Sequence, residues 1–295
     1  GYIGIEPTSE FAEIYDDVAE QKIVIPPGAF AEIFLHEQLV HDNFFPTVDL
    51  RSSRGRLGLR LNGPHLEYEC GEAYIALTNT NPNSIALYGQ SKFAQLFFEP
   101  KDNHRPFSGS VVYDPAVAED IAKMICDDPV VYGHYLALEL GDTVFEFNPE
   151  IRVIDTNDLP EDDELYKEVN VDKEYVLQPH TACVAKLSPA LNLPANVGVS
   201  ILHQLPIAQQ PGLTTPDLQV FFYEPHIANA GWVDPGFQGC VTAHPYVRKF
   251  NKVLKRNVPF ALAEIVWFDE NVDRSYGSSE LNSHYMNSTG SGSRS

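Results

Sequence analysis

Short β-prone runs, cut at close intervals by proline and glycine, restrict this chain to a mainly β architecture. Ile23-Val24-Ile25 runs into Pro26-Pro27-Gly28 and then into Phe30-Ala31-Glu32-Ile33-Phe34-Leu35. Ala73-Tyr74-Ile75-Ala76-Leu77 and Ile85-Ala86-Leu87-Tyr88 flank the turn-rich Asn79-Thr80-Asn81-Pro82-Asn83, and Phe93-Ala94-Gln95-Leu96-Phe97-Phe98 follows. Branched and aromatic side chains suit a pleated surface, while Pro, Gly and Asn supply the turns. The pattern returns later, where Tyr175-Val176-Leu177-Gln178-Pro179-His180 leads into Ala182-Cys183-Val184-Ala185-Lys186-Leu187. This echo predicts a tandem pair of β modules, 1–105 and 110–270, followed by a flexible lid or tail over 271–295.

One segment breaks the β pattern. Asp114 suits an N-cap, Pro115 the first helical position, and Val117, Ile121, Met124 and Ile125 recur at helical spacing up to Asp127-Asp128-Pro129, which predicts a short helix opening the second module. Lys101 to Gly109 reads as a linker. Glu10 to Tyr15 reads as a helical turn, and the acid-rich stretch from Asp155 to Glu174 as an exposed loop.

The chain has 295 residues, enough for two modules with separate cores. No apolar run approaches the roughly 18 residues of a membrane span, and the start lacks signal-peptide order, so the expectation is a soluble, cytoplasmic protein without a membrane partner. Cys70, Cys126, Cys183 and Cys240 lack CxxC or CxxH spacing, and His36 and His41 lack the HExxH spacing; neither a protein-held metal nor a disulfide framework is expected. With 20 basic against 41 acidic residues, the net charge of −21 argues against a nucleic-acid partner.

Against that acidity, Arg51-Ser52-Ser53-Arg54-Gly55-Arg56-Leu57-Gly58-Leu59-Arg60 stands out. Guanidinium groups grip phosphate oxygens two at a time, serine hydroxyls donate hydrogen bonds, and Gly55 and Gly58 would let backbone N–H groups approach an anion. A second basic cluster, Arg248, Lys249, Lys252, Lys255 and Arg256, either holds more of a polyphosphate or offsets the acidic stretch.

The segment resembles the phosphate-binding motif of the dCTP deaminase and trimeric dUTPase superfamily. Gly231-Trp232-Val233-Asp234-Pro235-Gly236-Phe237-Gln238-Gly239 resembles that family's hairpin for the pyrimidine and deoxyribose, and Tyr276-Gly277 with Ser283-His284-Tyr285 is similar to its C-terminal lid. Tyr132 to Asp142 looks like its early strand ending in Leu-Gly-Asp. The likeness is greatest to the double-length dCTP deaminases and implies two dUTPase-like β-barrel or jelly-roll modules.

By that resemblance, Ser52 and Arg56 bind phosphates with support from Arg51 and Ser53. Asp234 sits by the deoxyribose or a catalytic water, Gly236 and Phe237 line the sugar, and Tyr276 and Tyr285 belong to the lid. The implied ligand is a deoxynucleoside triphosphate carrying its own Mg²⁺. The implied reaction is conversion of dCTP to dUTP by a hydrolase, with dUTPase-like pyrophosphate release or nucleotide binding without turnover as alternatives. His244 stands where the family's deaminases carry the glutamate that activates water. The two motifs fall in different modules, which implies a composite site between them; a homo-oligomer is compatible with the family.

Overall fold

The computed structural model describes residues 13–15, 22–34, 44–62, 67–69, 72–89, 94–100, 109–202, 227–229, 231–247 and 249–278. In the first half the elements are β1 (Glu13–Tyr15), β2 (Lys22–Ile25), β3 (Phe30–Phe34), β4 (Phe44–Leu50), α1 (Ser52–Arg56), β5 (Leu59–Leu61), β6 (Glu67–Glu69), β7 (Glu72–Asn79), β8 (Ser84–Tyr88) and β9 (Ala94–Pro100). The second half opens with β10 (Ser110–Val111), α2 (Pro115–Ile125), β11 (Val131–Tyr132), β12 (Tyr135–Phe147), β13 (Val153–Asp155), α3 (Asp162–Leu165) and β14 (Tyr166–Asn170). It continues through β15 (Glu174–Leu177), β16 (Thr181–Ser188), β17 (Leu191–Asn192), β18 (Val197–Ile201), β19 (Ile227–Asn229), β20 (Trp232–Val233), β21 (Gln238–Gly239), β22 (Thr242–Val247), β23 (Lys252–Lys255) and β24 (Pro259–Trp267). The mainly β class expected from the sequence is the class observed.

The two halves repeat one set of antiparallel pairings. β2 pairs β8, β3 pairs β7, β4 pairs β9 and β5 pairs β7 in the first. In the second, β15 pairs β23, β16 pairs β22, β18 pairs β24 and β19 pairs β22, in the same chain order. The echoed turns match as well: Ala29 N–H donates to Pro26 O and Thr181 N–H to Gln178 O, with Gly28 at φ 72° and His180 at φ 58°. A left-handed residue is cheap as glycine and strained as histidine, so the second copy keeps the turn geometry without the residue that suits it.

Two cores divide the interior. One, wholly of the second half, packs Ile121 and Ile125 of α2 on Leu136, Leu138, Leu187, Val199 and Ile265. The other gathers Ile23, Ile33, Leu57, Leu59, Leu77 and Leu87 of the first half around Phe145, Phe147, Tyr166, Ala182 and Val184 of the second. Alternation along β12 explains the sharing, because its even positions face the second half's core while Phe145 and Phe147 point to the opposite side, under the first half. β13 extends the junction by pairing in parallel with β8, so the first half's sheet runs β1-β2-β8-β13.

Several expectations need correction. α2 starts at Pro115 with Asp114 accepting from the N–H groups of Ala116 and Val117, but its buried stripe is Ala118, Ile121, Ala122 and Ile125. Val117 and Met124 are 47% and 53% exposed, because the small alanines let the opposite side approach the sheet. Residues 13–15 form β1 on β2, not a helical turn; the free edge of β2 satisfies their backbone where a helix so short lacks the bonds to nucleate. The acid-rich stretch is a loop only over 156–161 and 171–173, though largely exposed. It contributes β13, α3 and β14, anchored by the buried Ile154, Leu165 and Tyr166, while Glu161, Asp163 and Glu164 stay in water. Nor does the early strand stop at Leu-Gly-Asp, since β12 runs on to Phe147 past a register shift against β16 between Leu140 and Val144.

Candidate nucleotide site at the junction of the halves

The serine–arginine segment is a buried helical turn. Arg51 is extended at the N-cap position and half-buried, and α1 then carries Ser53, Arg54 and Arg56, each at most 5% exposed. Apolar Leu57 and Leu59 draw the segment inward by packing in the shared core. The glycine N–H groups are spent inside the turn, Gly55 donating to Arg51 O and Gly58 to Gly55 O, so they do not form the anion cradle expected from the sequence. Gly58, at φ 84°, instead turns the chain onto β5.

The use of Gly55 lies across the junction. A Cβ at that position would stand 3.6 Å from Cε1 and Nδ1 of His244, so the bare glycine backbone is what the imidazole packs against. Alternation along β22 sends Ala243 and Val247 into the second half's core and turns His244 and Tyr246 toward the first half. Arg60 reaches over to donate from Nη2 to the His244 carbonyl at 2.7 Å, its guanidinium carbon 5.8 Å from the Tyr246 ring centre. The Tyr166 hydroxyl donates to Arg56 O at 3.1 Å.

The resulting environment is cationic and dry. Arg54, Arg56, Arg60 and His244 are all 8% exposed or less, and the Ser53 hydroxyl is buried without a hydrogen-bond partner among the described residues. Guanidinium groups grip phosphate oxygens two at a time, which makes this arginine-rich turn the candidate place for an anionic group.

The Asp-Pro-Gly hairpin forms a second group. The Trp232 indole lies over Gly198, where a Cβ would come within 2.3 Å of Cη2, and its Nε1 donates to Asp234 Oδ1 at 2.9 Å. Water still reaches Asp234, yet the protein atoms crowding its carboxyl push it above the ordinary aspartate range, and the indole N–H pulls only partly in the other direction. The turn is closed by Phe237 N–H on Asp234 O and docked by Gly236 N–H on Pro194 O.

Two of the expected site residues pack against the start of the expected lid. Phe237, expected against a sugar, is 7% exposed and packs in the second half's core with its ring centre 5.6 Å from that of Tyr276. Gly236, at φ 89°, would clash through a Cβ with Tyr276 O at 2.7 Å, and Tyr276 N–H donates to Pro235 O. The beginning of the expected lid therefore sits on the hairpin. Tyr285 lies outside the described residues, as does the rest of the tail, and Ser52 is placed at the start of α1 through its backbone alone.

Four residues at the junction escape a motif reading. Arg54 and Arg60 share the basic stretch but not the resemblance, and only the structure shows that both are buried. Tyr166 and Tyr246 carry no sequence signal, since their roles come from contacts with residues more than a hundred positions away. Among the described residues, no group of three His, Cys, Asp or Glu could hold a metal ion, and no helix is long and apolar enough to cross a membrane. Cys126, Cys183 and Cys240 are free thiols, with burial pushing Cys126 up to about 11.

No family model matches the sequence, and no curated protein matches it. Among solved structures, the chain is similar to 2′-deoxycytidine 5′-triphosphate deaminase from Agrobacterium tumefaciens, with a TM-score of 0.59 and 13% identity, over 86% of this chain and 78% of that one. That likeness, together with the curled and repeated sheets, establishes a mainly β chain of the dUTPase-like dCTP deaminase fold.

Proposed function

We propose that this chain is a tandem pair of dUTPase-like modules that binds a deoxypyrimidine nucleoside triphosphate where they meet, and that it hydrolyses dCTP to dUTP and ammonia. The observation that carries this reading is the packing of α1 on His244: two segments with complementary chemistry, far apart in sequence, touch within one chain. Arg54 and Arg56 suit the triphosphate, which brings its own Mg²⁺. A neutral imidazole at His244 would take a proton from water as its oxygen adds to the pyrimidine C4, then return it to the departing amino group. Asp234, held by the Trp232 N–H, would orient the sugar or that water.

A second reading is nucleotide binding without turnover. It is favoured by the burial of His244, 4% exposed under Gly55, which leaves little access for a water. Incubation with Mg²⁺ and each deoxynucleoside triphosphate separates the readings: ammonia marks deamination, pyrophosphate with a monophosphate marks a dUTPase-like reaction, and calorimetric binding without product marks the second reading. Arg56→Ala should weaken triphosphate binding by about 1.5–3 kcal/mol, as expected for a charge-assisted hydrogen bond. Absence of both binding and turnover would reject the proposal.

A further inference from the structure

α1 and His244 hide each other. Ser53, Arg54, Arg56 and His244 are all buried, so a polyphosphate cannot grip the arginines in this arrangement, and water has little access to the imidazole. Both are covered by the same contact. Leu50 and Leu57, at the two ends of the turn, are held in the shared core, whereas the turn between them rests on β22 through the bare backbone of Gly55. The Tyr166 hydroxyl at the start of β14 adds a hydrogen bond to Arg56 O at 3.1 Å. The bonds from Arg54 and Gly55 N–H to Arg51 O lie inside the turn and would travel with it. Gly58, at φ 84°, gives a pivot between the turn and β5. Arg60 lies beyond that pivot, so its bond to the His244 carbonyl can persist while the turn moves.

We propose that α1 is a gate over His244, closed in this structure, and that a polyphosphate binds by holding it open, so that phosphate recognition and exposure of the imidazole are one event. The inference rests on the phosphate-binding reading of the arginines given above. A ligand that meets only the open form shifts the chain toward it, with an apparent affinity lowered in proportion to the fraction of chains that are open. Loosening the closed form should then tighten binding, whereas loosening a preformed site weakens it.

Inorganic tripolyphosphate is the probe, because it carries the phosphates without a base that would itself cover the imidazole. In the full chain, carbethoxylation of His244 by diethyl pyrocarbonate, mapped by mass spectrometry, should be slow alone and at least about tenfold faster with saturating tripolyphosphate. The exposed His180 should react at one rate throughout. Tyr166→Phe removes a bond made in the closed form but keeps the ring beside Phe145 and Phe147, and it should tighten tripolyphosphate binding about fivefold in calorimetry. Tripolyphosphate that binds while His244 stays slow overturns the gate and leaves the phosphate-binding reading standing, as does a Tyr166→Phe chain that binds no tighter than the parent. A chain that binds no tripolyphosphate ends both.

Discussion

The β7–β8 and β22–β23 hairpins occupy the same place in the repeat and live in opposite surroundings. In the first, Asn79, Thr80, Asn81 and Asn83 are buried and satisfy one another: Asn79 Nδ2 donates to Ile25 O and Asn83 O, Asn81 Nδ2 to Leu57 O, and the N–H groups of Asn81 and Asn83 to the Asn79 and Asn81 side chains. In the second, Lys249, Phe250 and Asn251 face water. A polar turn enters a core cheaply only if most of its groups are paired, and the first half approaches this by borrowing backbone carbonyls from Asn148 and Ile151 of the second, with the Asn83 Oδ1 left over among the described residues. The comparison shows a first half that depends on the second, and a second half that has one core wholly its own besides the shared one.

The most damaging test removes the second half's contribution to the shared core. Phe147→Ala should cost about 3–5 kcal/mol in urea denaturation, as for a large core residue, and a much smaller loss would mean the halves are energetically separate. Next, Asn79→Ala should cost about 3 kcal/mol through the acceptors and donor it strands, against no more than about 0.5 kcal/mol for Asn251→Ala in the other hairpin. Equal losses at the two positions would erase the contrast. Arg60→Met should cost about 1.5–3 kcal/mol by stranding the His244 carbonyl, and the His244 ring signals in NMR should move with it; unmoved signals would disconnect Arg60 from the imidazole.

The smallest effect belongs to Glu264, within the second half. Burial pushes its carboxyl up, with the His134 imidazole 3.9 Å away. Because the folded value lies above the unfolded one, its contribution to stability is complete below the unfolded value of about 4.3 and is lost as pH rises through the folded one. Glu264→Gln should therefore melt above the parent protein at pH 7, with the gap closing as the pH falls below the ordinary glutamate range. A gap independent of pH would assign the change to packing.

Local chemistry was readable where one segment determines its own shape. Asp114-Pro115 marked a helix start because the cap and the fixed φ of proline act within a single turn, and Pro27-Gly28 and Pro179-His180 both marked turns. The serine–arginine stretch and Asp234-Pro235-Gly236 stand out in the sequence for the same reason. What escaped depends on partners remote in the chain. Nothing near Val117 or Met124 says that the alanine side of α2 will face the sheet. The acidic run gives no hint that Ile154 is drawn to β8 or Tyr166 to Arg56, and nothing around Gly55 announces an imidazole from β22. Around Phe237 the neighbours in sequence are visible, whereas Tyr276, its neighbour in space, is not.

The shared core sets an order of events during synthesis. The first half leaves the ribosome with Ile23, Ile33, Leu59 and Leu77 made, but Phe145, Phe147, Tyr166 and Val184, which complete their burial, follow only after the chain has grown past residue 184. At about 5–20 residues per second, that interval lasts on the order of several seconds, during which strands and apolar faces stay uncovered and open to chaperones or to neighbouring chains. Chains arrested before Phe145 should be cut readily by protease throughout their first half, and chains released beyond Val184 should resist. Equal resistance at the two lengths would mean that the N-terminal strands close a core of their own.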